Sequence, residues 1–270
     1  MSRIVRQSRS SSENIYGTLT AVVGGALWVT ILPTLIAMMF LPGGALNAGV
    51  YLFYGVAFAL FYWISSAIYC ATAFGNMILL SEKQFPALHA MVVEGAEELG
   101  MKTVPKAFLF NSNGLVNAFA RRLLGGRYLF LSSALVDLTS DEQLRFVIGH
   151  ELGHHAAGHL NGWMHTLRLP AHFVPFLSPA YSRAREYTCD GIGVRLSKDL
   201  VASRHSLLML GCGCGRLSQT ISCEAFVEQE ALMPPFFGFV GEIYRSHPRL
   251  TRRIAALSRH LTRETQANQA

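Results

Sequence analysis

The densest piece of chemistry in the chain is His150-Glu151-Leu152-Gly153-His154. Histidines four residues apart fall on one face of a helix, where two imidazole nitrogens can bind one zinc ion. Glu151, one residue round from His150, can take the proton of a water acidified by that ion and pass it to a leaving amine. A catalytic zinc needs a third protein ligand and a position left open for water. That ligand is not the distal histidine of the pattern H-E-x-x-H-x-x-G-x-x-H, because Ala157 and Leu160 stand where glycine and histidine are required. His159 lies five residues past His154, about 140° away around a continuous helix, so His155 and His159 read as solvated or as outer contacts of the ligands. A carboxylate on a second helix serves better. Glu186 and Asp190, at i and i+4, face the same way: one can bind the metal while the other accepts the free N–H of a ligating imidazole. The same pair also reads as an ordinary exposed helix face partnered by Arg183 and Arg185.

Local signals supply the elements that must carry these groups. Thr139 and Glu142, three apart, read as a capping box that opens a helix through Phe146, Val147 and Ile148 into His150. A helix is expected over Phe85 to Leu99, ended by Gly100. Lys106 to Phe110 and Arg127 to Leu131 are β-rich runs set off by Pro105, the turn residues Asn111 to Gly114, and Gly125-Gly126, and they predict a short strand pair. The fold class is therefore α+β, mainly helical with a small β-sheet. Cys212 and Cys214 lack the spacing and partners of a structural zinc site and read as part of a glycine-rich turn, and five cysteines in all fit free thiols. Met233 to Phe239 can line an apolar cleft, dip into lipid headgroups or pack on the core.

Of 270 residues, 51% are hydrophobic and 15% charged, and the 68 residues between Glu13 and Glu82 carry no Asp, Glu, Lys or Arg. A disordered chain and a disulfide-stapled secreted scaffold are excluded by that apolar content and by the few cysteines. The turn-rich Leu41 to Asn47 divides the uncharged stretch into Ile15 to Phe40 and Ala48 to Leu80, each longer than the about 20 helical residues a bilayer core requires. A two-helix transmembrane hairpin follows, in which Gly24-Gly25 either lets the helices approach closely or faces lipid. Arg3, Arg6 and Arg9 place the N-terminus in the cytoplasm, and the hairpin returns the chain there. The first run is too long for the core of a cleaved signal peptide. The net charge of +6 reads as attraction to anionic lipid headgroups, with no nucleic-acid motif beside it.

From about Asn117 to Leu257 the chain resembles the membrane-anchored zinc metallopeptidases that include the bacterial heat-shock protease HtpX and the eukaryotic CAAX prenyl endopeptidases. The resemblance rests on Asn117-Ala118-Phe119-Ala120, Leu135-Val136-Asp137-Leu138, the H-E-x-x-H helix, Glu186 with Asp190, and Ser246-His247-Pro248 with Arg253 five residues beyond the proline. It implies a gluzincin fold with one catalytic zinc on His150, His154 and Glu186, Glu151 as base, and Asp190 behind the ligands. It also implies that Asn117, Ala118 and Phe119 begin a strand that binds substrate backbone by strand addition. His247 is expected to steady the oxyanion and Arg253 to lie at the site, unless Arg253 only makes an ion pair at a helix start. Two departures matter. Members of the HtpX type carry a second hydrophobic pair between the histidine helix and the glutamate, whereas Gly162 to Ala180 is too short and too broken by prolines to span, so two spans are expected and Leu177 to Tyr181 reads as a loop at the lip of an open site. Cys189 stands where the family carries a small alanine, and reads as a buried small residue.

The expected organisation is a basic cytoplasmic N-terminus over 1–14, the hairpin over 15–80, a zinc metallopeptidase domain over 81–262 and a polar tail over 263–270. The expected function is hydrolysis of peptide bonds in unfolded or membrane-associated polypeptides, a quality-control activity at a membrane, most simply the bacterial inner membrane. The rivals are a catalytically silent zinc-binding scaffold or chaperone and a narrow CAAX-type processing protease. Glu151 argues against the scaffold, since a structural zinc site needs no base.

Overall fold

The computed structural model describes residues 2–218 and 220–269. After a short helix α1 (Arg3–Ser8), the uncharged stretch forms α2 (Ser11–Met38) and α3 (Gly44–Asn76), of 28 and 33 residues, both long and apolar enough to cross a membrane. Gly43 makes the turn with φ +74, so Ala45 to Asn47 belong to α3 rather than to the expected connection. Each helix also docks on the rest of the molecule over part of its length. Gly24 does not serve contact between the two helices: a Cβ there would fall 2.3 Å from the Leu167 carbonyl oxygen, so its bare backbone brings α2 against α7 (Gly162–Arg168). Trp28 completes that contact by donating its indole N–H to the Thr166 carbonyl.

The last residues of the second apolar run leave the helix as β1 (Ile78–Leu79), which joins β2 (Lys106–Phe110), β3 (Ala118–Leu123) and β4 (Gly126–Ser132) in a sheet of order β1-β2-β4-β3. The two runs expected to pair do so in parallel, Lys106 opposite Tyr128. β3 pairs antiparallel with β4 and forms the outer edge. Period-two alternation gives the sheet two buried faces. Ala107, Leu129 and Leu131 face α4 (Pro86–Glu98) and the helices beyond it, whereas Phe108, Tyr128 and Phe130 pack on Cys70 and Ala73 of α3. The anchor is thus continuous with the core.

After α5 (Ser133–Leu138) comes α6 (Asp141–Ala156), the histidine helix. Its capping box lies one residue later than expected: Ser140 and Gln143 exchange both bonds, because Thr139 Oγ1 turns back to the Leu135 carbonyl at the end of α5. Beyond α7, a 3-10 turn over Leu169–Phe173 leads into α8 (Leu177–Ser197). Leu177 to Tyr181 is therefore the first turn of a helix and not a loop, with Pro179 in the one part of a helix that needs no N–H. The remainder is helical: α9 (Leu200–Cys212), α10 (Gly215–Ser218), α11 (Cys223–Glu228), a 3-10 turn (Gln229–Leu232), α12 (Pro235–Ile243) and α13 (Leu250–Gln269). The backbone of α13 carries on through most of the segment expected as a polar tail. Met233 to Phe239 does not pack on the core, since Phe236, Phe237 and Phe239 of α12 are exposed.

α6 and α8 make the closest helix contact of the core. Gly149 and Gly193 face each other, and a Cβ at 193 would lie 2.7 Å from the Phe146 carbonyl oxygen. Gly193→Ala is expected to cost about 1–3 kcal/mol, because backbone cannot yield as a side-chain tip does. Gly49→Ala, with nothing within 4 Å, is the matched control and should leave the midpoint unchanged or raised. Thermal unfolding in detergent checks the pair, and equal midpoints would remove the close contact from the account.

Candidate metal centre

The glycine-mediated contact sets His150 and His154 of α6 against Glu186 and Asp190 of α8, all four packed in the interface between the helices. His150 Nδ1 lies 2.9 Å from Asp190 Oδ1, so its Nδ1–H donates to that carboxylate and Nε2 is the nitrogen open to another partner. His154 repeats the arrangement with a different partner, its Nδ1 lying 3.1 Å from Nδ1 of His159. Both Nε2 atoms then point at Glu186: His150 Nε2 is 3.4 Å from Oε2 and His154 Nε2 is 3.6 Å from Oε1. Ligands about 2.0–2.1 Å from a tetrahedral zinc are separated from one another by about 3.3–3.4 Å. The donor set and its spacing therefore fit a small tetrahedral cation.

Cys189 competes on paper. His150, His154 and Cys189 each offer an atom, all within 4.8 Å of one another. Cys189 Sγ also lies 3.6 Å from His159 Nδ1, the atom that meets His154 Nδ1, and so borders the engaged nitrogen of that ligand. Burial, reinforced by Glu186 and Glu151, pushes its thiol pKa well up and keeps it protonated.

The buried carboxylates of the cluster are met by buried positive charge. Arg253 of α13 is buried and forks onto Asp190, Nε to Oδ2 at 2.8 Å and Nη2 to Oδ1 at 2.6 Å, with Nη1 3.5 Å from Glu186 Oε2. Burial alone would raise the pKa of Glu186, but His150 and then His154 and Arg253 outweigh it and hold the carboxyl well below the usual range. Burial also opposes protonation of His150, yet the hydrogen bonds to Asp190 and Glu186 hold its pKa up at about 10. His154, with no carboxylate bonded to it directly, is driven well down by burial.

Around this core the remaining expected residues fall at different distances. Glu151 is buried and bonded to the backbone of Ala120, and burial raises its carboxyl pKa. Asn117 turns its backbone inward, its N–H donating to Ser132 Oγ and its carbonyl accepting from Ser132 N–H. By alternation, Ala118 and Ala120 present theirs on the open edge of β3. Phe119 stacks on Phe130 with centroids 4.9 Å apart. His247 is 64% exposed, and its Nε2 stands 3.7 Å from Glu186 Oε2. A cavity of about 410 Å3 adjoins these groups, bordered by Thr20, His159, Arg168, Arg185, Tyr244 and Ser246.

Neither of the two other histidines of this segment is solvated. His155 is not solvated: it is buried between α6 and the sheet, its Nε2 bonded to the Tyr128 carbonyl, and burial lowers its pKa to about 4. His159 is buried too. The 140° separation presumed a continuous helix, whereas α6 ends at Ala156 and Gly158, at φ +81, folds His159 back beneath His154. The reading of the sequence missed Glu13 altogether. This acid, 2% exposed near the start of α2, lies 3.1 Å from His159 Nε2. Its signal was an acid among arginines at the border of an uncharged run, which marks a boundary as readily as a site.

A family model described as peptidase family M48 matches residues 82–174 and 161–261. The chain is 27% identical over 170 residues to the plastoglobule-localized metallopeptidase 48 of Arabidopsis thaliana, covering 57% of this chain and 48% of that protein. It is 32% identical over 157 residues to a protease HtpX homolog of Pyrobaculum aerophilum, covering 56% and 43%. It thus spans about half the length of these two relatives. A protease HtpX homolog of Polynucleobacter necessarius is 25% identical over 234 residues, 73% of this chain and 80% of that one. Among solved structures, the crystal structure of S. mikatae Ste24p superposes with a TM-score of 0.51 at 17% identity, over 90% of this chain and 65% of that chain, and so has the same fold.

The fork of Arg253 generates a prediction about the metal-free protein. Arg253→Met leaves buried carboxylates without their counter-charge and is expected to cost roughly 3–5 kcal/mol. Arg252→Met, half-exposed on the same helix and paired with Glu230 and Glu242, should cost under about 1 kcal/mol. Unfolding of both variants in the presence of chelator compares them, and equal losses would reduce Arg253 to an ordinary surface pair.

Proposed function

The chain belongs to peptidase family M48, and on that premise we propose that it is a membrane-anchored zinc endopeptidase acting on unfolded or membrane-associated polypeptides. The observation that carries this reading is the convergence of two histidine Nε2 atoms on Glu186 at 3.4 and 3.6 Å, with both Nδ1 atoms engaged elsewhere. His150, His154 and Glu186 hold one zinc ion. Zinc, when bound, acidifies a water and polarises the carbonyl under attack. Glu151 takes the proton of that water on its carboxylate and delivers it to the leaving amine, and a carboxyl whose pKa is lifted by burial holds that proton between the two events. Asp190 and Arg253 keep His150 in the tautomer that frees Nε2. His247, at the exposed rim, donates to the oxyanion that develops on the substrate.

The open edge of β3 receives the substrate as an added strand, a mode that reads backbone in preference to side chains. Asn117 and Phe119 hold that edge in place through Ser132 and Phe130, and Ala118 and Ala120 offer it. The backbone bond from Ala120 to Glu151 ties the base to the same edge. Weak side-chain selection suits a quality-control enzyme. Arg3, Arg6 and Arg9 ahead of α2 support a cytoplasmic N-terminus, and two crossings return the catalytic domain to that side, as in a bacterial inner membrane.

Casein hydrolysis and bound zinc, measured on detergent-purified full-length protein, test the assignment. His150→Ala and Glu186→Ala should lose zinc, Cys189→Ala should keep it, and Glu151→Gln should keep zinc but lose turnover. Zinc retained by Glu186→Ala and lost by Cys189→Ala would transfer the third ligand to sulfur. Undiminished cleavage by Glu151→Gln would sink the base assignment, and zinc without cleavage in the wild type would favour a scaffold or a narrow processing enzyme.

A further inference from the structure

We propose that Glu13, a residue of the first apolar helix, is a positioning residue for the metal ligand His154, acting through His159. This inference rests on the zinc reading above and extends it to a part of the chain that otherwise looks like anchor alone.

The geometry is a directed chain of hydrogen bonds. With His154 Nε2 turned to Glu186, its Nδ1 carries the hydrogen and donates to His159 Nδ1 at 3.1 Å. His159 Nε2 must then carry the hydrogen on its own ring, and it donates to Glu13 Oε1 at 3.1 Å. The chain ends on a carboxylate, and the Cys189 thiol borders His159 Nδ1 at a longer 3.6 Å.

That carboxylate is itself fixed. Arg9 Nη1 lies 3.1 Å from Glu13 Oε1, the Thr188 hydroxyl donates to Oε2, and Thr188 Oγ1 accepts the Ser10 N–H at 2.9 Å. A helix that needed only to dock on α8 could do so with apolar side chains, without the desolvation that burying an acid entails. His150 offers the internal comparison. Its Nδ1 is held by Asp190, backed by Arg253, just as His154 is held by His159 and Glu13, backed by Arg9. Both ligands thus end in an arginine-backed carboxylate, one from the catalytic helices and one from the anchor. Such outer partners fix the tautomer and ring orientation of a ligating histidine and typically contribute 10- to 100-fold in metal affinity.

The test is zinc affinity of the full-length protein in detergent, measured by competition with a chromophoric chelator. Glu13→Ala and His159→Phe are each expected to bind zinc roughly 10- to 100-fold more weakly. The double variant should be no weaker than His159→Phe alone, because the two residues act in series. Glu13→Gln, which keeps an acceptor for His159 but not the charge, should fall between wild type and Glu13→Ala. Val5→Ala supplies the control for docking: Val5 is buried in the core beside α8 and touches none of these groups, so its loss should lower the unfolding temperature while leaving zinc affinity unchanged. Wild-type affinity in Glu13→Ala, or losses that add in the double variant, would overturn the proposal. So would an equal affinity loss in Val5→Ala, since that is what loosened docking alone produces. Absence of zinc from the wild type would bring down the zinc reading itself, and this inference with it.

Discussion

The contact between α6 and α8 is the constraint from which the rest of the structure follows. With Gly149 and Gly193 face to face, the two helices approach until the Cβ positions of a larger pair would overlap backbone. At that distance side chains as short as Asp190 reach across to the opposite histidine, and Glu186 reaches both Nε2 atoms. A wider spacing would demand longer side chains or intervening water, with looser geometry at the metal. The remaining elements are applied to this pair from outside: α13 delivers Arg253, β3 lies along Glu151, and α2 delivers Glu13 to the far side of His154.

Electrostatics explains why so many charged groups survive in one core. Glu186 and Asp190 are buried with a single arginine between them, and the site draws further positive charge to itself, as the elevated pKa of His150 records. A bound divalent cation satisfies the same demand, and then competes with the His150 proton. The asymmetry between the ligands is informative. His150, bonded to a carboxylate, favours its protonated form, whereas His154, bonded to an imidazole, is already neutral.

How much of this was legible in the sequence depended on whether a signal was local. H-E-x-x-H and the Glu186–Asp190 pair announce themselves through helical spacing, and Lys106–Phe110 coincides with β2 because proline and turn residues bound it. The mainly helical α+β architecture with two apolar helices followed from the same local patterns. The capping box slipped by one residue because Thr139 and Ser140 are equally good caps and only the end of α5 chooses between them. Of the two places open to His159, the contact with His154 is the one it takes, because Gly158 terminates the helix that the angular argument assumed. Leu177 to Tyr181 was taken for a loop since Pro179 marks an interruption in most contexts and a first turn in this one. The role of Glu13 could not be found by a local rule, because His159 and Thr188 lie 146 and 175 residues away and only Arg9 is near in sequence.

The way α3 runs into the sheet has a consequence for range of action. Only Met77 separates the end of α3 at Asn76 from β1, and the final turns of α3 are already packed beneath Phe108 and Phe130. The other apolar helix is fastened to α8. If the hairpin is the membrane anchor proposed above, a metal centre held at two points in this way would keep a fixed heading relative to the bilayer, and the substrates open to it would be those that come to the membrane.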